Sequence, residues 1–327
     1  MNKRFDMPYP YGWFQVALSQ DLAAGESRPL RYFGEEMVLF RTEDGQAKIL
    51  DAYCPHMGGH LGYGIRKEPG QGGEVRGDTI VCPFHGWRFN GEGQCEEIPY
   101  ATHMPPRVAD KQCVMKSWPV QERNQMIWMW YHPHNEPPHY EVEAVEEFDP
   151  ENGEWGEMEI HTFKVKTHCQ EMAENGADPA HFRYVHGVAE FPASSMGFDG
   201  GHRRQGKVDA PMETPRGVVD GSIEFVCNGP GQSYTRFSGI CETVEMGNVT
   251  PIDEEYVEYN AIFIQPRADE ESASAGVARA IIKDICRQIE EDSIIWEHKL
   301  YREKPMLCDG DGPIAKFRKW YSQFYVE

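Results

Sequence analysis

The first third of the chain alternates short apolar runs with turn-forming residues. Trp13–Leu18, Met37–Arg41, Ala47–Tyr53, Val114–Val120 and Met126–Tyr131 have the length and the β-branched and aromatic content of strands. Ile80-Val81 and Trp87-Arg88-Phe89 are shorter runs of the same kind. Gly25–Arg28 reads as a polar turn, Asp44-Gly45 as a hairpin and Asn90-Gly91 as another turn. Arg66–Asp78 (R-K-E-P-G-Q-G-G-E-V-R-G-D) is polar and glycine-rich, and reads as a surface loop inserted between two strands. Residues 8–135 are therefore expected to form a small all-β domain, a sandwich or barrel.

Pro133–Pro150 is rich in His, Pro and Glu and reads as a linker, with His132, His134 and His139 as exposed linker histidines rather than metal ligands. Beyond it the pattern changes. Glu157–Thr167 alternates as a strand does, Cys169–His186 reads as helical, and Val218–Val226, Ser233–Glu245 and Glu255–Gln265 are further strands. Ala278–Tyr301 carries Ile281, Ile282, Ile285, Ile289, Ile294, Ile295, Trp296 and Leu300 at helical spacing. Residues 136–327 are expected to be a second domain of α+β class, a curved antiparallel sheet with helices packed on one face.

The 327 residues suffice for two ordinary domains. A net charge of −21 argues against nucleic acid and against an anionic membrane surface as partners, and suits a basic redox partner as well as plain solubility. No apolar run reaches the ~18 residues of a membrane span, and the opening M-N-K-R-F-D-M-P-Y-P lacks the apolar core of a signal peptide. Nine cysteines without a regular framework fit a reducing compartment, so a cytoplasmic protein is expected.

Two stretches carry metal-ligating residues at short spacing. Cys54–His60 reads C-P-H-M-G-G-H, and Cys82–Trp87 reads C-P-F-H-G-W. Each offers one Cys and one His: Cys54 with His56, and Cys82 with His85. Two thiolates on one iron and two imidazoles on the other make a Rieske [2Fe–2S] centre. The neutral imidazoles reduce the negative charge on the cluster and raise its potential, so it can take one electron from a weakly reducing carrier. Structural zinc also accepts two Cys and two His, but zinc fingers pair Cys with Cys and His with His, whereas these pairs are mixed. The proline after each Cys, with Gly58, Gly59 and Gly86, suits tight loops that turn backbone N–H groups toward bridging sulfides. Trp87 belongs either beside the cluster or in the ordinary core.

A second set lies in Glu171–Gly187, E-M-A-E-N-G-A-D-P-A-H-F-R-Y-V-H-G. His181 and His186 are five apart, about 140° around a regular helix, so both could meet one ion only if the helix is distorted between them. Gly176 and Pro179 speak against an ordinary helix there. Asn175, Asp178 and His181 fall near one stripe. Two imidazoles need a carboxylate to complete a facial triad for ferrous iron. The long C-terminal helix offers Asp284, Glu290, Glu291 and Asp292. Its periodicity puts Asp292 on the buried side, and Glu290 and Glu291 toward solvent.

With both sets in view, the chain resembles the oxygenase (alpha) subunit of a Rieske non-haem iron oxygenase. The matching residues are C-P-H and C-P-F-H-G-W, then E-N-G-A-D-P-A-H-F-R-Y-V-H. C-P-F-H-G-W-R-F with I-P-Y-A, Q-E-x-x-E-N-G-A-D, and D-G-P-I-A-K-F-R-K-W-Y-S-Q-F-Y resemble the steroid-directed branch, which includes 3-ketosteroid 9-alpha-hydroxylases and cholesterol 7-desaturases. The resemblance implies an N-terminal all-β Rieske domain and a C-terminal helix-grip, lipid-transfer-like catalytic domain. It implies that Cys54, His56, Cys82 and His85 ligate the cluster and that His181, His186 and Asp292 ligate a mononuclear Fe(II). It puts Asp178 at the family's bridging position, an acid between a cluster histidine of a neighbouring subunit and an iron-ligand histidine. The alternative reading of Asp178 is a helix-start or surface carboxylate. The resemblance further implies a head-to-tail homotrimer, O2 as co-substrate, a hydrophobic and steroid-like substrate, and hydroxylation or desaturation as the outcome. The chain has no G-x-G-x-x-G, so NAD(P)H would act through a partner reductase, alone or with a ferredoxin.

Other readings stay open at this level. A Rieske electron carrier with an appended domain, or a lipid-binding sensor, would carry the same cluster motif. Within enzymes, the alternative is oxidative demethylation, or hydroxylation of an aromatic or alkyl-ammonium compound. Phe191, Met196, Phe198, Phe225, Phe237, Ile240, Ile262 and Ile264 could line a large apolar cavity, or be core.

Overall fold

In a computed structural model, which describes residues 4–65, 72–187, 194–209, 212–214, 217–267 and 273–326, the chain divides into two units. One is Gln15–Glu141; the other joins Met1–Phe14 to Val142–Glu327.

The first unit is built from short antiparallel strands. Ser27–Tyr32, Glu35–Arg41, Ala47–Asp51 and Ser117–Trp118 form one four-stranded sheet, and Glu74–Arg76, Thr79–Val81, Arg88–Asn90 and Cys95–Glu97 form another. Val38, Phe40, Leu50, Leu61, Ile80 and Phe89 fill the core between them. Asp44-Gly45 makes the expected hairpin, with Gly45 at φ 95° and Thr42 N–H bonded to the Gln46 carbonyl at 2.9 Å.

Three expectations need correction here. Gly25–Arg28 is not simply a turn, since Ser27–Tyr32 is a strand paired along its whole length with Glu35–Arg41. Arg28, Pro29 and Arg31 hid its pattern; Pro29 is tolerated because the strand lies at a sheet edge. Arg66–Asp78 is not all loop: its residues 66–71 lie outside the described residues, but Glu74–Arg76 pairs with Thr79–Val81. His132 is not an exposed linker residue. It is buried, and its Nδ1 accepts the N–H groups of His134 and Glu136 at 3.2 and 3.3 Å.

The second unit has a seven-stranded antiparallel sheet in the order Glu159–Val165, Val257–Ile264, Thr243–Pro251, Gln232–Ser238, Ser222–Asn228, Arg203–Asp209, Ser194–Phe198. Ser194–Phe198 and Arg203–Asp209 were not legible as strands, because glycines and charged residues interrupt their alternation. The helix Ala273–His298 packs on the sheet through Ile282, Ile285 and Ile289 against Ala261 and Phe263. Further along, Trp296 packs with Val165, Cys169, Met172 and Val257. Ile294, Ile295 and Leu300, expected on the apolar stripe, are exposed. At 100° per residue they fall off the line that joins Ile285, Ile289, Asp292 and Trp296. A sheet wrapped on one long helix is the helix-grip arrangement, and the α+β class follows from it. A second helix, Ile314–Tyr321, buries Phe317 and Tyr321 completely against Ala177, Cys227 and Phe225.

The segment Cys169–His186, expected to be helical, is three pieces. Cys169–Glu174 is α-helix, Asn175–Ala177 is a 3-10 turn and Ala180–Tyr184 is α-helix again. The break falls at Asp178 because Pro179 disfavours a helical conformation in the residue before it, and Asp178 sits at φ −115°, ψ 91°.

Phe89 is fully buried under the two loops that carry Cys54 and Cys82. Phe89→Ala is expected to cost the chain about 3–5 kcal/mol, read as a lowered denaturation midpoint of the cluster-loaded protein. A loss under about 1 kcal/mol would show that this core does not support the loops.

Candidate metal centres

The two cysteine loops share one geometry. In each, the glycine four residues after the cysteine donates its N–H to the cysteine carbonyl at 2.9 Å, Gly58 to Cys54 and Gly86 to Cys82. Both glycines lie at positive φ, 73° and 74°, where a side chain would be strained. The cysteine N–H closes each loop, Cys54 to the Gly59 carbonyl at 2.9 Å and Cys82 to the Trp87 carbonyl at 2.7 Å. The loops face each other so closely that a Cβ on Gly59 would lie 3.2 Å from Cys82 Sγ.

The two thiols are buried and in contact. The hydrogen bond between them lowers the pKa of the Cys82 thiol and raises that of Cys54. The pair therefore readily sheds one proton, as a metal-binding thiol pair must. The rings of His56 and His85 stand edge to face with centroids 4.7 Å apart. His56 is exposed and His85 half-buried, so the imidazole end faces outward while the sulfurs lie inside. Trp87 stacks on His56 at 4.7 Å and 8°, and its Nε1 donates to Tyr100 Oη at 2.9 Å. Two inner sulfurs and two outer imidazoles fit an asymmetric [2Fe–2S] cluster. His60, in the same stretch, has a local role: its Nδ1 accepts the Gly62 N–H at 3.0 Å.

In the second unit, ligand atoms of His181, His186 and Asp292 all lie within 4.8 Å of one another, and no other such trio occurs among the described residues. The helix break solves the spacing problem posed by the sequence. The helix stops at Tyr184, so His186 lies beyond its end, with Gly187 at φ 73° turning the chain away. Each imidazole is oriented by its Nδ1. His181 Nδ1 donates to the main-chain carbonyl of Asp178, and His186 Nδ1 donates to Glu291 Oε2 at 3.0 Å. That leaves His186 Nε2 facing Asp292 Oδ1 at 3.3 Å. Donors at right angles on bonds of about 2.1 Å sit about 3 Å apart, so the pair suits one edge of a coordination sphere.

The electrostatics agree. Burial pushes the His186 imidazolium down, but hydrogen bonds to Asp292 and Glu291 outweigh it and raise its pKa. Nε2 thus calls for a positive charge between itself and Asp292, a proton in the bare chain or a metal ion in its place. Glu291, expected to face solvent, is half-buried and shared between His186 and Arg287. Its bond to His186 lowers its pKa. It is the carboxylate partner that metal-binding histidines commonly have. Only its place next to Asp292 in sequence could have signalled this. Glu290 is exposed, as expected. Asp178 is half-buried, and its Oδ1 accepts the Ala180 N–H at 3.0 Å. It is its main-chain carbonyl, not its carboxylate, that meets His181. Asn175 accepts the Trp296 Nε1 proton at 3.2 Å and ties the break to the long helix.

The trio opens on a cavity of about 260 Å³ between sheet and helix, near the lower end of the ~300–1,000 Å³ usual for ligand pockets. Phe225 and Phe237 line it, as expected. Ile262 and Ile264 are core, Ile240 is exposed, Met196 and Phe198 pack near Ile314–Tyr321, and Phe191 lies outside the described residues. Tyr259 also lines the cavity, and donates its hydroxyl to the buried Glu245 at 2.7 Å.

Two buried thiols beneath two imidazoles, and a facial His-His-Asp set on a helix-grip sheet, define a Rieske-type oxygenase. The comparisons agree: residues 12–119 match the Rieske [2Fe-2S] domain family and residues 129–325 the 3-Ketosteroid 9alpha-hydroxylase C-terminal domain family. Over 332 residues the chain is 31% identical to a 3-ketosteroid-9-alpha-monooxygenase oxygenase component of Rhodococcus rhodochrous, covering 97% of this chain and 81% of that one. Over 351 residues it is 32% identical to cholesterol 7-desaturase of Caenorhabditis elegans, covering 98% and 78%. Dicamba monooxygenase bound to dicamba shares the fold at a TM-score of 0.69 and 19% identity, covering 96% of each chain. So does Pseudomonas putida CBB5 NdmA with caffeine, at 0.70 and 19%, covering 94% and 89%. The chain belongs to the Rieske oxygenases whose catalytic domain is of the 3-ketosteroid 9alpha-hydroxylase type. It is an oxidoreductase, with a [2Fe–2S] cluster and a mononuclear non-haem iron as cofactors.

Burial pushes the Glu245 carboxyl up to about 7, against the opposing bond from Tyr259. Unfolded glutamate titrates at about 4.3, so the folded chain holds this proton over the window between the two values. The resulting stability is complete below about pH 4 and is lost as the pH rises through about 7. Glu245→Gln should therefore gain on the parent protein by roughly 3 kcal/mol between about pH 4.5 and pH 8, measured by denaturant unfolding at both. A difference independent of pH would contradict the assignment.

Proposed function

We propose that this chain is the terminal oxygenase of a multicomponent system that uses O2 to hydroxylate or desaturate an apolar, steroid-like substrate. The observation that carries this reading is the His181, His186 and Asp292 set opening into a cavity between sheet and helix. The steroid-directed relatives support the substrate class. In this reading Cys54, His56, Cys82 and His85 hold the cluster, and His181, His186 and Asp292 hold the ferrous iron. When bound, the cluster supplies electrons one at a time and the iron supplies a redox-active Lewis acid for O2.

The chain's own residues do the rest. Glu291 and the Asp178 carbonyl fix the tautomers of His186 and His181, so that both present Nε2 to the ion. Phe225, Phe237, Ile285 and Ile289 keep the reacting carbon in an apolar surround that limits water. His56 and His85 form the outer end of the cluster loops, so a cluster held there would have its imidazole side toward the surface. Met57, Phe84 and Tyr100 beside them are each more than half exposed. An apolar rim of that kind suits docking against another protein surface. The reading gives that rim to a reductase or ferredoxin and to the next subunit of a head-to-tail homotrimer. In this reading Asp178, whose Oδ1 holds the Ala180 N–H, would accept a hydrogen bond from the partner subunit's His85 and so stand between the two centres. The seven cysteines outside the cluster loops, none of them in a disulfide, support a reducing, cytoplasmic setting.

The test uses the reconstituted protein, a surrogate reductase and a panel of sterols, 3-keto steroids and aromatic compounds. Substrate-dependent O2 uptake with an oxygenated or desaturated steroid is expected; uptake without any product would contradict the reading. Asp292→Ala should lower iron from about three atoms per chain to about two while the red-brown cluster absorption survives. Unchanged iron content would remove Asp292 from the ligand set. Asp178→Asn should keep both metals and lose turnover by about 10²-fold or more. Full turnover in that variant would leave Asp178 as a helix cap alone.

A further inference from the structure

Arg204 is the residue of the catalytic unit that its surroundings explain least. It stands on the strand Arg203–Asp209, whose alternation points Arg204 and Val208 inward and Arg203 outward to Glu143. An inward strand position beside a cavity ordinarily carries an apolar side chain. Here it carries a guanidinium that is only 3% exposed and lines the same cavity as His181, His186 and Asp292. Arginine keeps its charge in any protein setting. A buried charge is normally matched by an opposite one, yet no carboxylate pairs with Arg204 among the described residues. The nearby acid Glu174 is held by Arg318 at 2.6 Å, and Glu171 by Lys299 at 2.8 Å.

What Arg204 does have is partial compensation. Nη2 donates to the Ala173 carbonyl at 2.7 Å, near the end of the helix Cys169–Glu174. The aromatic faces of Phe225, Phe317 and Trp320 stand 5.5, 4.7 and 5.5 Å from the guanidinium carbon. These contacts fix the group in place and leave Nε and Nη1 buried without an acceptor. Gly176 lies directly against it: a Cβ there would come within 3.4 Å of both terminal nitrogens. Arg204 as a residue is part of the cavity wall, so the nearest space from which a counter-charge can reach it is that cavity.

We propose that Arg204 is an anion-recognition residue of the cavity, and that the substrate is an amphiphile: an apolar body that reaches the His181, His186 and Asp292 set, and one carboxylate that pairs with Arg204. A ketone or hydroxyl would satisfy an N–H but not the charge; a carboxylate does both, with charge-assisted hydrogen bonds. A cation buried in this way also rejects neutral analogues, because their binding leaves it unpaired and cut off from water. The inference rests on the apolar-substrate reading above and narrows it to acids.

The experiment is equilibrium dialysis with the cluster- and iron-loaded protein under anaerobic conditions. The ligand pair is a 3-oxo steroid with a side-chain carboxylic acid, and the methyl ester of the same compound. The acid is expected to bind at least about tenfold tighter than the ester, with the preference lost as the pH falls through the pKa of the ligand's own carboxyl group. In Arg204→Gln the acid-to-ester ratio should fall to about one, whereas Arg204→Lys should retain part of it. A purely structural arginine would not move that ratio. Equal binding of acid and ester by the parent protein would overturn the anion site and leave the apolar-substrate reading standing. So would an unchanged ratio in Arg204→Gln. Binding of neither compound would overturn both. Should Arg204→Gln not fold, the acid-to-ester ratio of the parent protein and its loss on protonation of the ligand's carboxyl group decide the matter alone.

Discussion

Two imidazoles and a carboxylate crowded within 4.8 Å of one another present lone pairs to lone pairs, unless a proton or a cation lies between them. Much of the catalytic unit serves to hold that arrangement in place. The bend at Asp178-Pro179 ends the 3-10 turn before the second helical piece, and that piece stops in time to release His186. The long helix brings Asp292 from the far side on an otherwise apolar stripe. Glu291, the next residue, clamps the back of His186 from the same helix. The link between Asn175 and Trp296 ties the two elements together, so that neither can drift without the other. A site assembled from two segments over a hundred residues apart gains its precision from rigid neighbours rather than from the ligands themselves.

The cluster loops solve the same problem with less chain. Each needs a cysteine, a histidine and one glycine at positive φ, within six residues. Repeating the loop on a second hairpin places the two halves face to face. That economy is why the first site was legible in the sequence: C-P-H-M-G and C-P-F-H-G-W contain every proposed ligand and both turn residues. The second site was legible only in outline. The two histidines and Asp292 could be picked out, since residue type and helical period pointed to them. The conflict between a five-residue spacing and a regular helix was also visible, as was the Pro179 that resolves it. Glu291 was not, because a helical period assigns a direction to a side chain but not a partner, and this one leans back over its helix to reach a loop. Arg204 and the pair of Tyr259 and Glu245 were beyond reach for a different reason. Arg204 lies on a strand whose alternation is broken by glycine and charge, and all three depend on registers, such as Arg204 opposite Cys227, that no single segment encodes. The edge strand Ser27–Tyr32 was missed on the same grounds.

The cavity is mixed in character, and the mixture is informative. Its apolar residues come from the middle of the sheet and from the long helix. Its ionisable histidine, carboxylate and guanidinium groups fall in two places, the His181, His186 and Asp292 set and Arg204 with its aromatic surround. Buried polar groups without partners are rare in folded proteins, because each costs the chain about 1–3 kcal/mol. Where they persist at a cavity wall, the missing partner is naturally sought in the ligand. The same logic connects the two metal centres. The thiol pair, the facing rings of His56 and His85, and the Nε2 of His186 all want positive charge that the polypeptide does not supply.

The central claim is that electrons held by the cysteine-histidine loops are used at the His181, His186 and Asp292 set when substrate is present. A single-turnover experiment tests it most directly. The fully loaded protein is reduced anaerobically, freed of excess reductant, and mixed with O2 while the cluster absorption is followed. Rapid reoxidation is expected only when the mononuclear iron and a bound steroid-like substrate are both present, with product formed in proportion to the electrons consumed. Reoxidation at the same rate in protein lacking the mononuclear iron would contradict the account.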